Sequence, residues 1–434
     1  MTTAEPDPPE EPRPPLLRRV VADLTPLRTS RDFRILWIGL FVSELGFQFT
    51  LVATYIQVTK LTGSAAAVGV IGLVGFGGLV AGSLVGASFL DAFDRRKILV
   101  WSQLGFMSAV ALLLAGAVHG HPPIVLIYLA VALLAFVSAI EAPTRSAMTP
   151  RLVGRELVPS ALALNQVIWN ATGLVGPAIA GVVIARSGLA WAYAIDLVTY
   201  VAMLAAAFMV RPMLPERSEG ATTGSEGATT GWAAVKEGYR FVRVRRILRA
   251  TFEIDIIAMV FGMPRALFPL LAVTQFHAGP EVVGLLFAAP AVGALFGALT
   301  TGWVKHVRRQ GLAVIWSVVL WGAGIAAFGL VGDRLWLGLF FLAFAGAADV
   351  ISAVFRSTIL QLSVPDSLRG RLSGIHILVV TGGPRLGDLE AGLVAAAFTP
   401  TFSVVSGGIA CIVGAGLLAW HVPELRRYRA GERV

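Results

Sequence analysis

The sequence predicts an all-α membrane protein: twelve transmembrane helices in two pseudo-symmetric six-helix bundles. Three observations carry this. The 434 residues are 56% hydrophobic and only 14% charged, against roughly 25% charged in an ordinary soluble domain, so a soluble fold of this size would lack polar side chains to cover it. Apolar runs of about 20–28 residues recur, each long enough to cross roughly 30 Å of hydrocarbon. Lys and Arg cluster between alternate runs. The same figures exclude a disordered or collagen-like chain, and the single cysteine, Cys411, excludes an internal disulfide framework or a multi-cysteine zinc site. The net charge of +9 falls in short clusters that suit an anionic membrane surface rather than nucleic acid.

Residues 1–33 are polar and rich in Pro, Glu and Arg, with no apolar core of signal-peptide length, and read as a cytoplasmic tail. The first bundle, 34–211, holds spans near 35–59, 65–89, 98–118, 124–145, 160–185 and 191–210. The second, 250–421, holds spans near 250–276, 282–304, 312–331, 336–359, 371–398 and 402–421, and 422–434 form a second cytoplasmic tail. Between the bundles, 212–249 contains the heptapeptide Ser-Glu-Gly-Ala-Thr-Thr-Gly twice, at 218–224 and 225–231, which buries no core and reads as a flexible linker. From Trp232 to Arg249, apolar Trp232, Val235, Tyr239 and Val242 alternate with basic residues, the pattern of an amphipathic helix on the inner leaflet. With both termini inside, 30 of the 35 Lys and Arg fall in cytoplasmic segments and three, Lys60, Arg186 and Arg334, in outer loops. That is a strong positive-inside bias.

The bundles echo one another: the second and eighth spans are both glycine-rich and end in basic loops, as expected of halves related by a two-fold axis along the membrane normal. Between the second and third spans, Ala87-Ser88-Phe89-Leu90-Asp91-Ala92-Phe93-Asp94-Arg95-Arg96-Lys97 resembles the loop signature of the major facilitator superfamily. Asp91, Arg95 and Arg96 match, whereas Ala87, Ala92 and Asp94 depart. In the fifth span, Gly173-x-x-Gly176-Pro177-x-x-x-Gly181 is similar to the signature of proton-driven exporters; small residues at this spacing let helices approach closely, and Pro177 bends the span. The stretch 34–429 resembles the enterobactin-exporter branch, supported by Thr149–Glu156, Pro264–Pro269, Gly382–Asp388 and Val422–Arg426. The resemblance implies the major facilitator fold and proton-driven export of siderophores or drugs. Asp91, Arg95 and Arg96 at the span ends either form gate ion pairs with the opposing half or only set the topology, and Gly176 and Pro177 are gating candidates through close helix approach.

Ionisable side chains inside a span cost roughly 2.5–3.5 kcal/mol on insertion scales and so mark functional positions by default. Glu44 lies about 15 Å into the first span, with Gln48 one turn on and on the same face; the pair either lines a cavity or bonds a neighbouring helix. The seventh span carries Glu253 near its end, Asp255 deeper, and Arg265 beside Pro264, where freed carbonyls leave a bend; Arg265 either meets substrate oxygens or a carboxylate there or forms a purely structural ion pair. In the eleventh, Arg385 and Asp388 share a face and form either a self-neutralising pair or an exchangeable one, while Glu390 points elsewhere. Asp349 and Asp196 are lesser candidates, and Asn165, Gln166 and Asn170 either join helices or line the cavity. Phe261, Phe268, Trp37 and Trp169 either stack on an aromatic ligand or pack.

The expectation is a proton-coupled exporter of a small amphipathic molecule in the bacterial inner membrane, monomeric and without cofactor, metal or nucleic-acid partner. Proton-coupling candidates are Glu44, Asp255, Asp349 and Asp388; substrate candidates are Gln48, Asn165, Asn170, Phe261, Phe268, Arg265 and Arg385. An importer of the same fold and a non-transporting receptor are the alternatives. No enzyme chemistry is indicated: His119 and His121 sit in a tight loop beside Pro122 and Pro123, and no phosphate-binding Gly-x-x-x-x-Gly-Lys-Ser/Thr segment is present.

Overall fold

A computed structural model describes residues 23–213, 240–363 and 366–429, giving the backbone alone at 87–92, 305 and 366–378. Eleven helices among the described residues are long and apolar enough to span a membrane: Arg31–Thr62, Ala65–Gly86, Arg95–His119, Ile124–Val153, Arg155–Ser187, Leu189–Met209, Arg246–Thr274, Pro280–Leu299, Gln310–Leu330, Leu335–Ser363 and Pro400–His421. The twelfth, Asp366–Ala397, is equally long but more charged. It takes the eleventh place in chain order. The tandem heptapeptide and Trp232, Val235, Lys236 and Tyr239 lie outside the described residues. The visible end of the expected amphipathic helix buries Val242 against Leu248 and Phe252, so it docks on the second bundle there rather than on lipid.

Local chemistry sets the helix ends. The Ser30 hydroxyl accepts from the Phe33 amide at the start of the first span, and Gly63 closes it in the left-handed conformation (φ 60°) that a side chain would resist. Asp94, which departs from the loop signature, caps the third span by accepting from the Arg96 amide at 2.9 Å. The fourth and tenth helices, 30 and 29 residues long, outrun the roughly 20 residues that hydrocarbon requires. The spans expected at 124–145 and 336–359 end short of these helices, and Arg145 and Arg356, counted among the cytoplasmic charges, lie well inside them. The seventh span is broken: Arg246–Phe261, a 3-10 turn at Pro264–Leu267, then Phe268–Thr274. Gly262 and Pro264 stand at the break, where proline removes a helical donor.

The packing has two-fold order. In the first half, the first helix packs on the fifth and sixth, and the fourth on the second and third; in the second half, the seventh packs on the eleventh and twelfth, and the tenth on the eighth and ninth. The halves meet chiefly through two equivalent pairs, second with eleventh and fifth with eighth. Both pairs close on glycine at the far end of the molecule, away from Asp23 and Arg429, the first and last described residues, which mark the terminal end. A Cβ on Gly181 would stand 2.6 Å from the Pro280 carbonyl and 3.0 Å from the Gly284 Cα, and one on Gly392 2.6 Å from the Ala65 carbonyl and the Gly69 Cα. The fifth-span glycine motif thus builds a half-to-half seam, and its Gly176 seats the Gln48 side chain.

At the terminal end, Asp23 accepts from the Thr25 amide (3.0 Å) and hydroxyl and from the Ser160 hydroxyl (2.8 Å), pinning the chain before the first span to the start of the fifth. These bonds hold the carboxyl below its ordinary pKa. A depressed native pKa stabilises above the unfolded value and loses that contribution as pH falls through the native one. Hydrogen exchange at residues 24–30, corrected for intrinsic rate, is therefore expected to accelerate in acid, and Asp23→Asn to remove that pH dependence.

Candidate transport site

The decisive cluster sits near the far end, where three helices from both halves meet. Asp388 in the eleventh helix is completely buried. Its Oδ2 accepts from the Tyr55 hydroxyl at 2.6 Å and from Arg265 Nη2 at 2.9 Å, while Arg265 Nε reaches both carboxylate oxygens at 3.1 Å. Tyr55 belongs to the first span, so a charge-assisted network ties one half to the other. Arg265 comes from the broken span: the turn at Pro264–Leu267 swings the guanidinium to the eleventh helix, 123 residues away in sequence. The shared face of Arg385 and Asp388 does not make them a pair. Arg385 Nη1 instead donates to the Thr381 carbonyl at 2.9 Å, and its stem lies over Gly75. Two guanidiniums and one carboxylate in this enclosed region leave one positive charge in excess, which suits an anionic group.

A second set of charges lies closer to the terminal end. In the first half, Glu141 and Arg145 pair at 2.8 Å along the fourth helix, and half-buried Glu44 lies within electrostatic reach of both. Asp196 is buried against Gly46 and accepts from the Thr199 hydroxyl at 3.2 Å. In the second half, Arg356 pairs with Asp255 at 2.5 Å and approaches Asp349 at 3.6 Å. Glu141, Arg145 and Arg356 were not singled out as interior charges: Glu141 lies within the span expected at 124–145, and the two arginines were counted with the cytoplasmic basic residues. Their helical spacing was the available signal: four residues separate Glu141 from Arg145 and seven separate Asp349 from Arg356, each pair on one face.

The remaining candidates scatter. Gln48 is buried against Gly176. Phe268 is core, packed edge-on against Phe287 and Phe328, whereas Phe261 is 38% exposed. Trp37 stacks on Phe41, and Trp169 is exposed. Asn165 is half-buried, and exposed Asn170 accepts from Gln166 at 3.3 Å. Glu253 pairs with Arg249 near the terminal end. Arg95 donates to the Ala147 carbonyl, and Arg96 to those of Ala207 and Phe208, all within their own half, where they complement the negative ends of the fourth and sixth helices. The Asp91 side chain lies outside the described residues. His119 bonds the Ala115 carbonyl one turn back.

The family described as transmembrane secretion effector, of the major facilitator type, matches residues 21–432. The chain belongs to this family. As a transmembrane secretion effector it is a multi-pass membrane protein of a transporter family. It is 27% identical over 412 residues to the enterobactin exporter EntS of Citrobacter koseri, covering 94% of this chain and 95% of that one. It is 26% identical over 414 residues to the Salmonella typhimurium EntS, covering 94% and 96%. Two solved structures share its fold. One is a bacterial homologue of the lysosomal transporter Spinster, inward-facing and unoccupied (TM-score 0.71, 13% identity, 92% and 98% coverage). The other is a bacterial homologue of the iron transporter ferroportin, inward-facing (TM-score 0.68, 14% identity, 91% and 98% coverage).

Proposed function

We propose that the protein exports a small amphipathic, anionic molecule of the siderophore or drug class from the cytoplasm, in exchange for protons, by alternating access. Both termini lie on the cytoplasmic face of the bacterial inner membrane, so the far end faces outward. The Tyr55–Arg265–Asp388 network carries this reading. It holds the two halves together beside two glycine seams, and a proton delivered from outside to Asp388 removes the charge that binds Arg265. The network then dissolves and the far end opens. Arg265 and Arg385 are left to hold the acidic groups of a substrate until it leaves; the emptied, protonated site then turns back toward the cytoplasm, and loss of the proton there restores the latch. Export rather than import is supported by the likeness to enterobactin exporters and by the glycine–proline motif of the fifth span. A receptor that transports nothing has no use for so many enclosed charges, which are costly in hydrocarbon. The test is uptake into inverted vesicles under an imposed pH gradient, with an iron-free catecholate siderophore and a lipophilic dye side by side. Gradient-dependent accumulation of at least one, abolished by collapsing the gradient, is expected. Accumulation indifferent to the gradient, or none of either compound, contradicts the reading.

A further inference from the structure

The terminal-end charges repeat across the two-fold. Asp255 stands 211 residues after Glu44, and Arg356 stands 211 residues after Arg145. The seam glycines Gly181 and Gly392 keep the same separation, so this interval is the register of the internal repeat. Around the two arginines the sequence repeats as well, Ala142-x-x-Arg145-Ser146 against Ala353-x-x-Arg356-Ser357. Each half therefore sets one acid of its first helix against one arginine of its fourth. A second acid on that fourth helix, Glu141 or Asp349, completes a group of two carboxylates and one guanidinium.

The two groups are caught in alternative pairings. In the first half the arginine holds the acid of its own helix, Glu141, at 2.8 Å, and Glu44 has no ion pair among the described residues. In the second the arginine holds the first-helix acid, Asp255, at 2.5 Å, and Asp349 stands at 3.6 Å with a third of its side chain exposed. One guanidinium cannot neutralise two carboxylates, and an uncompensated charge in a low-dielectric interior is costly. A proton on the carboxylate that the arginine has left supplies the missing charge. There is room for water beside Asp255 and Arg356: a cavity of about 10 Å³, enough for one water molecule, is lined by Thr251, Phe252, Asp255, Arg356 and Leu360. Arg356 is 5% exposed, and its Nε has no hydrogen-bond partner among the described residues.

We propose that Asp255, Asp349 and Arg356 form a second proton-binding site, the two-fold counterpart of Glu44, Glu141 and Arg145. In each site the arginine exchanges between two carboxylates, and the released one takes up a proton from water on the terminal side. The guanidinium keeps its own proton throughout; the bond formed is O–H on the free carboxylate. Among the described residues, the charged group acting on Asp255 is Arg356, and Arg356 and Asp255 act on Asp349. Arg145 and Glu141 act on Glu44, with Asp196 facing it from the sixth span. Asp196 is fully enclosed, which leaves half-buried Glu44 as the exchanging acid of the first half. The inference rests on the proton-coupled reading and adds these two terminal-side sites to Asp388.

Charge displacement on a solid-supported membrane after a pH step, with purified protein in liposomes and no substrate, reads proton binding directly. Glu44→Gln and Asp349→Asn are each expected to lose about a third of the wild-type charge, and the double variant about two thirds of it, the remainder belonging to Asp388. Asp349→Glu is expected to restore the signal, and thermal unfolding of each variant identifies any that has not folded. Full charge in Asp349→Asn, or complete loss in Glu44→Gln alone, overturns the second site while leaving proton coupling in place. No displacement in the wild type overturns proton coupling itself.

Discussion

Asp388→Asn is expected to reduce gradient-driven uptake into inverted vesicles by an order of magnitude or more, while equilibrium binding of the substrate persists. The amide keeps the shape of the carboxyl and can still accept from Tyr55, but it cannot take a proton and carries no charge for Arg265. Removing one partner of a buried pair costs about 3–5 kcal/mol. A quarter of the Arg265 side chain remains exposed, which places this pair near the low end. A loss of about 3 kcal/mol favours the far-end-open state by roughly a hundredfold. The variant rests with its latch undone, and cysteines introduced beside the far-end seam become reactive without any pH gradient. Arg265→Gln is expected to do the same from the other side. Retained transport in Asp388→Asn would show that the latch is packing and not part of the coupling.

A wedge in the seam is expected to reach the same state without touching a charge. A Cβ at Gly181 would already stand 2.6 Å from the Pro280 carbonyl, closer than real Cβ contacts, and that neighbour is backbone that cannot swing aside. Gly181→Leu therefore cannot close the fifth helix onto the eighth, and overpacking of this kind costs typically 1–3 kcal/mol. The cost falls on the closed state, because each half keeps its own helix contacts. Transport is expected to drop at least tenfold while thermal stability of the halves changes little, and far-end cysteine labelling to rise. Gly173→Ala is the control: a Cβ there meets nothing within 4 Å, so transport is expected to continue.

Much of the fold was legible because lipid leaves few choices. A spanning segment must satisfy its backbone internally and stay apolar for about 20 residues, so the runs and their basic flanks locate the helices. The fifth-span glycines were also legible as a close-approach surface, and Asp388 and Arg265 as interior charges. Their pairing was not. Sequence spacing pointed Arg385 at Asp388, three residues on, but the break at Pro264 brings Arg265 across from another helix, and Tyr55 carried no signal to mark it. Arg145 and Arg356 went unread for a different reason. A positive charge near the end of an apolar run ordinarily marks a loop, whereas here the helices continue past it and neighbouring carboxylates hold it inside. The counterpart of the Glu44–Arg145 constellation became visible only once the helix pairings of the two halves had fixed the register of the repeat.

The claim on which the account turns is that the far-end latch opens when Asp388 loses its charge. Spin labels at Thr62→Cys and Phe398→Cys, one on each side of the seam, report it directly by pulsed electron spin resonance, since the native Cys411 is buried. In the otherwise unaltered protein the account predicts a short separation at neutral pH that lengthens in acid, and in Asp388→Asn a long separation at both. A distance that stays short in acid and in Asp388→Asn alike would contradict it.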